Sequence, residues 1–265
     1  MRRSLLPLFV ILISSLAFAQ NDSPAALYER GMDAISGASV SRNDAQALDY
    51  FRRSAELGYG PAQVALGYFY ETGMLTAGSQ SQAVEWYRKA ADQGDVLAQW
   101  MLGRSYFIGG GIQQDLNAAQ KWLKAAADQG NPFGAYYLAR IMADRDYTKA
   151  PALYKAAADQ GLPQAQYYYA KALKDGRGIA QDRFNAYVWF VVALDAGYSP
   201  AQADLAELDG SGFLMQAQIS EAKGKARQLE QTVIRAVNAR GCTGWDGEFA
   251  EFPTPPPPKL QRFCR

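Results

Sequence analysis

Histidine is absent from the 265 residues of the chain, and only two cysteines are present. Without an imidazole the chain cannot form a Ser-His-Asp or Cys-His triad or a histidine-ligated zinc site. Two thiols are also too few for a four-thiolate metal site. The 27 Lys and Arg residues nearly balance the 26 Asp and Glu residues, whereas nucleic-acid binding needs a basic excess. Catalysis by carboxylates or lysine stays open on these grounds. Because no constellation of residues in the sequence requires an active site, we expect no catalytic residue, metal, cofactor or nucleic-acid partner.

One segment near residue 1 has the pattern of a targeting signal. Arg2 and Arg3 precede an apolar stretch from Leu5 to Leu16, and the small-residue pattern Ala17-Phe18-Ala19 follows. This order is typical of a secretory signal peptide of residues 1–19, cleaved after Ala19. An uncleaved anchor is the alternative, but the apolar stretch is short for a membrane span. The sequence predicts an exported protein, which in a Gram-negative bacterium is periplasmic and does not span the membrane after signal cleavage.

The tail, residues 241–265, contains both cysteines, Cys242 and Cys264, and the run Pro253-Thr254-Pro255-Pro256-Pro257-Pro258. In an oxidising compartment the two cysteines would most simply pair, and closing this loop predicts a stabilisation of roughly 3 kcal/mol. The proline run favours the extended polyproline II conformation. It is either a stiff strap across the preceding helix or a ligand for another protein module.

Five glycines mark a repeat in the body of the chain. Spacings of 36, 36, 31 and 36 residues separate Gly58, Gly94, Gly130, Gly161 and Gly197. Each follows an alanine-rich stretch, where glycine commonly ends a helix in the left-handed conformation. A short turn, often with proline, then leads into the next helix. The pattern predicts pairs of helices, and the 31-residue spacing marks a unit that has lost a loop.

A glycine-rich loop connects the two helices of most units, most clearly as Gly109-Gly110-Gly111. No Lys-Ser or Lys-Thr pair follows these glycines, so a turn is favoured over a phosphate-binding loop. We expect the residue before the second helix to be an N-cap in three units: Ser79, Asp115 and Asp182. In the short unit Asp144 and Asp146 stand at this place, either as a cation-binding pair or as a helix cap beside Arg145.

Helix pairs with a period of about 36 residues predict an all-α, right-handed α-solenoid. We expect a degenerate N-terminal helix pair over 20–57 and regular repeats over 58–210. The amphipathic pattern within 211–240 predicts a C-terminal helix that caps the open end of the stack, with the disulfide-stapled tail after it.

One unit shows the repeat in its most complete form. It reads Ala83-Val84-Glu85-Trp86-Tyr87-Arg88-Lys89-Ala90-Ala91-Asp92-Gln93-Gly94, and the next helix continues with Ala98-Gln99 and Leu102-Gly103. At these positions the chain resembles the Sel1-like repeat family, which is related to the tetratricopeptide repeats. The resemblance implies an α-solenoid. It also implies a groove lined by the first helix of each pair, where tetratricopeptide domains hold peptides.

Two rows of residues run along the predicted first helices. Six residues after each marker glycine the row is mainly aromatic, and ten residues after it the row is mainly basic. The predicted partner-binding residues are Val64, Tyr68, Trp100, Arg104, Tyr136, Arg140, Tyr167 and Lys171. Aromatic residues and arginine are favoured at binding hot spots, and such rows suit an acidic segment or a carboxylate terminus. The alternative is that the aromatic rings only pack between repeats while the charges are solvated.

The sequence and the resemblance favour a periplasmic, non-enzymatic scaffold that holds another protein. The leading interpretation is an inhibitor or immunity protein, for example against a type VI secreted phospholipase-type toxin. The alternative is an adaptor or regulator of a sensor kinase or of an envelope or polysaccharide assembly complex. A β-lactamase-like enzyme is a distant alternative, because the cysteine-rich relatives linked to that activity carry a disulfide in each repeat. This chain has no cysteine inside its repeats.

Overall fold

A computed structural model describes residues 23–36 and 42–239 of the chain. In these ranges the chain forms twelve α-helices and no strand. The predicted signal peptide and the tail with Cys242 and Cys264 lie outside the described residues. None of the helices in the described ranges is both long enough and apolar enough to cross a membrane.

The helices fall into two compact units that divide between Gln114 and Asp115. The first unit contains α1 (Pro24–Ser36), α2 (Asp44–Glu56), α3 (Gly60–Thr72), α4 (Gln80–Asp92) and α5 (Val96–Ile108). The second contains α6 (Leu116–Asp128), α7 (Pro132–Arg145), α8 (Ala150–Ala158), α9 (Pro163–Asp175), α10 (Arg183–Asp195), α11 (Ala201–Gly210) and α12 (Gln216–Ala239).

Within each unit every helix packs against the next one along the chain, from α1 to α5 and from α6 to α11. Such nearest-neighbour packing is what defines a helical repeat protein. The predicted all-α stack of helix pairs is therefore confirmed for each unit. The long helix α12 lies where a C-terminal helix was expected and packs against α10. It buries one apolar stripe along its length: Ile219, Ala222, Ala226, Val233 and Val237.

The five marker glycines all adopt the left-handed conformation, with φ from 87° to 97°. The three predicted N-caps are also confirmed, because their side-chain oxygens accept hydrogen bonds from backbone N–H groups in the first turn of the next helix. Asp115 is the clearest case, since its Oδ1 accepts from the N–H groups of Asn117 at 2.8 Å and Ala118 at 3.0 Å. The start and the end of these helices are therefore set by N-cap residues and left-handed glycines that can be identified in the sequence.

A small residue on the first helix of a pair faces a large ring on the second. A Cβ placed on Gly67 would overlap the buried ring of Tyr87, and one on Gly31 would lie 2.9 Å from the ring of Phe51. Cβ atoms do not approach other heavy atoms that closely. Glycine at these positions therefore allows α3 to contact α4, and α1 to contact α2, at a distance that larger residues prevent.

The glycine-rich loops also pack closely, against the backbone at or just before the start of a helix. A Cβ on Gly111 would collide with the backbone of Gln80, at the start of α4, and one on Gly178 would collide with the carbonyl of Tyr147 just before α8. Both loops therefore pack on the beginning of the second helix of the preceding pair. Both glycines also have positive φ, 74° and 70°.

Alanine substitutions at two left-handed glycines of the first unit should differ in cost. Gly94→Ala should lower the free energy of unfolding by about 1–2 kcal/mol, the cost of a left-handed alanine, because nothing lies within 4 Å of its Cβ. Gly111→Ala should cost clearly more, since the backbone at Gln80 must also move. Urea denaturation of the two variants measures the difference. Equal losses would contradict the packing role of the loop.

A buried glutamine joins one helix pair to the pair before it. Gln63 Nε2 donates to the carbonyl of Ala55 at 3.1 Å, and Gln166 Nε2 donates to that of Ala158 at 3.3 Å. The Oε1 of Gln63 also accepts from Gln93 Nε2 at 2.7 Å. The residue equivalent to Gln93 in the later repeat is an alanine, Ala196. The Oε1 of Gln166 has accordingly no hydrogen-bond partner within the described ranges.

Replacing Ala196 by glutamine should supply the missing hydrogen bond to Gln166 Oε1. Ala196 has nearly the backbone conformation of Gln93, with φ −76° and ψ 0° against −83° and −2°. We expect Ala196→Gln to raise the free energy of unfolding by about 1 kcal/mol, the net value of a buried hydrogen bond. Ala196→Met is the matched control, because it has a similar shape without the amide donor. If chemical denaturation finds the two variants equally stable, a new hydrogen bond to Gln166 Oε1 does not explain any gain in stability.

Candidate functional site

The predicted row residues of the first unit are mostly enclosed. Val64 and Tyr68 are only 1% and 7% exposed, because α3 packs against α2 on one side and α4 on the other. Trp100 is half-buried. The burial of Val64 and Tyr68 therefore differs from the expectation that both line a groove open to a partner. Little of this part of the aromatic row is accessible.

Arg104 of the basic row is engaged within the first unit. Its Nη1 donates to Glu71 Oε1 at 2.8 Å, and Glu71 Oε2 accepts from the Tyr87 hydroxyl, also at 2.8 Å. Burial raises the pKa of Tyr87 well above its usual value, and the negative charge of Glu71 raises it further. The carboxylate of Glu71 thus links the first helices of two successive repeats to the second helix between them.

The same contact recurs in the second unit with the charges exchanged. Lys174 Nζ donates to Glu207 at 2.8 Å, and this pair has the same 33-residue separation as Glu71 and Arg104. Lys174 also pairs with the buried carboxylate of Asp204 at 2.6 Å. Phe190 stands where the earlier repeat has Tyr87, so the ring at this position brings no hydroxyl group to the ion pair. Burial alone would lower the pKa of Lys174, but the hydrogen bonds that it donates to the two carboxylates raise it.

Exchanging these side chains tests whether the two contacts are equivalent. Glu71→Lys alone should destabilise the protein by about 1–3 kcal/mol, because it places a cation beside Arg104 and removes the acceptor of the Tyr87 hydroxyl. The triple variant Glu71→Lys, Arg104→Glu and Tyr87→Phe recreates the arrangement of Lys174, Glu207 and Phe190. We expect it to recover most of the lost stability in thermal denaturation. A triple variant no more stable than the single one would show that the contacts are not interchangeable.

The four row residues of the second unit lie on one surface, which we call the tyrosine–cation surface: Tyr136, Arg140, Tyr167 and Lys171. Arg140 Nη1 donates to the Tyr136 hydroxyl at 3.2 Å, and Lys171 Nζ lies 5.8 Å from the centre of the Tyr167 ring. Two further tyrosines join this surface, since Tyr168 lies 5.7 Å from the Arg140 guanidinium and stacks on Tyr154 at 5.4 Å. Cations this close to aromatic faces are attracted to them.

Burial differs among these tyrosines. Tyr136 is 8% exposed, and burial raises its pKa although the bond from Arg140 opposes the rise. Burial also raises the pKa of Tyr167, and the hydrogen bond to Asp204 adds to the shift. The hydroxyl groups of Tyr136 and Tyr167 therefore stay protonated at neutral pH. The surface presents hydroxyl groups, ring faces and two cations to its surroundings.

A cavity of about 350 Å³ opens beside this surface, at the short connection between α7 and α8. Arg140 and Lys171 line it together with the stacked pair Tyr154 and Tyr168. Its rim carries Arg177, whose guanidinium lies 5.3 Å from the ring of Tyr147. Two carboxylates, Asp144 and Asp175, also line the cavity. The cavity therefore combines aromatic walls with charges of both signs.

The two aspartates of the short connection do not form a pair. The carboxylate of Asp146 accepts from the Thr148 hydroxyl at 2.6 Å and from its N–H at 3.1 Å, and it pairs with Lys149 at 3.0 Å. The hydrogen bonds from Thr148 and Lys149 lower the pKa of Asp146. Asp144 instead lines the cavity. No cluster of carboxylates suited to a metal ion occurs in the described part of the chain.

Sequence reasoning missed part of this surface. Tyr154 and Tyr168 belong to no predicted row, although they stack at the centre of it. The pairing of Glu71 with Arg104 was also missed, and its signal was a separation of 33 residues that recurs for Lys174 and Glu207. The repeated aspartates Asp144 and Asp175 offered a similar signal, since each lies fourteen residues after a marker glycine.

Comparison with known proteins establishes the family. A model of the Sel1 repeat matches the chain five times, over residues 24–59, 60–95, 96–131, 134–162 and 163–198. These matches cover more than half of the chain, so the protein belongs to the Sel1 repeat family. No curated protein matches it significantly.

Two solved structures are similar. A protective antigen of uropathogenic Escherichia coli is 27% identical, with a TM-score of 0.70 over 95% of this chain. The match covers 55% of that antigen, so the chain spans little more than half its length. A Sel1 repeat protein from Oxalobacter formigenes is 25% identical, with a TM-score of 0.64 over 78% of this chain and 88% of that protein. Both likenesses agree with the stack of helix pairs described above.

Proposed function

We propose that this protein is an exported, non-enzymatic scaffold that holds a protein partner on the tyrosine–cation surface. Proteins of the Sel1 repeat family are typically non-catalytic and bind other proteins. The single observation that carries the proposal is the convergence of Tyr136, Arg140, Tyr167 and Lys171 from two successive repeats. The structure thereby distinguishes the second unit from the first, where Arg104 is held by Glu71.

The chemistry of this surface suits protein recognition. Tyrosine and arginine are enriched at binding hot spots, because large rings bury much area at a low cost in side-chain entropy. Their hydroxyl and guanidinium groups add directed hydrogen bonds. Arg140 is held against Tyr136 by a hydrogen bond at 3.2 Å, so part of the surface is already ordered before a partner binds.

We further propose a periplasmic inhibitor or immunity protein, with a secreted toxin as the partner. The support for this role is the N-terminal pattern of a secretory signal together with a body made of binding repeats. An adaptor or regulator of an envelope complex would use the same surface, and the identity of the bound partner separates the two roles.

Charge reversal on the surface tests the proposal. The variant Arg140→Glu with Lys171→Glu should lose its partner when the tagged full chain is captured from cells and the bound proteins are identified by mass spectrometry. We expect at least a tenfold loss of the stoichiometric partner, because two attractive contacts become repulsive. Helix content and melting temperature should change little, since both side chains are half-buried at the surface.

The matched control reverses two exposed cations elsewhere, Arg52→Glu with Lys121→Glu. It changes the net charge by the same amount and should retain the partner. Loss of the partner in both variants would point to net charge alone. Retention in both would overturn the proposed surface. A captured toxin would support the immunity role, whereas a sensor kinase or an assembly complex would replace it with the regulatory one.

A further inference from the structure

Four of the five charged residues that line the cavity form two pairs at the same register of the repeat. Arg140 and Lys171 each lie ten residues after a marker glycine, and Asp144 and Asp175 each lie four residues later. Four residues return to the same face of an α-helix and advance about 6 Å along its axis. All four side chains line the cavity. Each of the helices α7 and α9 thus presents a cation and, one turn further, a carboxylate.

The two helices run in the same direction. Helix α8 packs against both, and the connections on either side of α8 are short, so it is antiparallel to each. The rings of Tyr136 on α7 and Tyr168 on α9 lie 6.0 Å apart, which places the two helices at matching heights. Arg140 and Lys171 therefore lie toward one end of the cavity, and Asp144 and Asp175 lie toward the other. The fifth charged residue, Arg177, follows the end of α9.

Three of these four charges are not committed to an ion pair. Lys171, Asp144 and Asp175 form no ion pair with any other residue in the described part of the chain. The floor between them combines the stacked Tyr154 and Tyr168 rings with small residues such as Ala143 and Ala172. Flat rings and small side chains accept the aliphatic stems of long charged residues. The cavity is thus a dipolar site with an apolar floor.

We propose that this cavity binds an extended peptide segment of the protein partner that carries an acidic and a basic residue with one residue between them. Side chains two residues apart in an extended chain point to the same side, about 6.7 Å apart. That spacing matches the single helical turn between the cationic and the anionic end of the cavity. The acidic side chain contacts Arg140 and Lys171, and the basic one contacts Asp144 and Asp175. This inference rests on the proposed function and names the chemistry of the partner.

The shortened repeat explains why the cavity lies here. The other pairs of the repeat carry loops of residues 73–79, 109–115 and 176–182 between their helices, whereas α7 and α8 are joined by residues 146–149 alone. Tyr147 of this short connection lies on the cavity rim and is half exposed. The shortened connection thus lies beside a cavity that is lined by charges of both signs.

Short peptides with capped ends test the inference on the full chain by isothermal titration calorimetry at low salt. The four probes are Ser-Glu-Ala-Lys-Ser, Ser-Glu-Ala-Glu-Ser, Ser-Lys-Ala-Lys-Ser and Ser-Glu-Lys-Ala-Ser. We expect the first to bind about tenfold more tightly than the others, because it alone places opposite charges on one side with the required spacing. Equal affinities, or no binding of any probe, would overturn the inference.

A variant that changes which peptide is preferred cannot be explained by loss of folding, because an unfolded variant would bind neither peptide. The variant Asp144→Lys with Asp175→Lys should prefer the Glu-Ala-Glu probe over the Glu-Ala-Lys probe. The matched control Glu56→Lys with Asp92→Lys changes two exposed carboxylates of the first unit and should keep the original preference. An unchanged preference in the first variant would overturn the inference. Failure here with the partner still lost in Arg140→Glu and Lys171→Glu would leave the proposed function intact.

Discussion

The fold depends on how closely the two helices of a repeat approach each other. At Gly67 and Gly31 the absence of a side chain lets the rings of Tyr87 and Phe51 lie directly against the first helix. This contact sets the distance between the two helices, and every other interaction of the pair is built on that distance. The glycine-rich loops pack just as closely on the start of the preceding second helix, as the approach of Gly111 to the backbone of Gln80 shows. Packing of this density leaves little room for larger residues.

Electrostatic contacts between repeats are more variable than the packing. The pair Glu71 and Arg104 and the pair Lys174 and Glu207 occupy the same register with opposite signs. The residue on the second helix changes with them, from Tyr87, whose hydroxyl needs an acceptor, to Phe190, which has none. A partly exposed ion pair contributes little to stability on its own. The repeat can therefore change the sign of this contact while its apolar core stays the same.

The distinctive site of the molecule arises where the repeat is incomplete. The connection between α7 and α8 is shorter than its counterparts, and the cavity lined by Arg140, Lys171, Asp144 and Asp175 opens beside it. The stacked tyrosines that line the cavity, Tyr154 and Tyr168, lie within the regular helices α8 and α9 and not in the shortened connection. The cavity and the shortened connection thus lie at the same place in the second unit. Function in repeat proteins commonly resides in such departures, because the scaffold itself is shared by many proteins.

The sequence by itself determined the helix pairs, their ends and their family. Marker glycines such as Gly94 require the left-handed conformation, and N-caps such as Asp115 bond only to the turn that follows them, so these features depend on neighbouring residues alone. The tertiary structure decided which side chains remain accessible. Val64 and Tyr68 share a register with Tyr167 and Lys171, which are half-buried, yet α2 and α4 enclose the first two almost completely. The partner of Arg104 lies 33 residues away on another helix. A residue pattern along one helix cannot reveal which charged residue the tertiary packing places opposite Arg104.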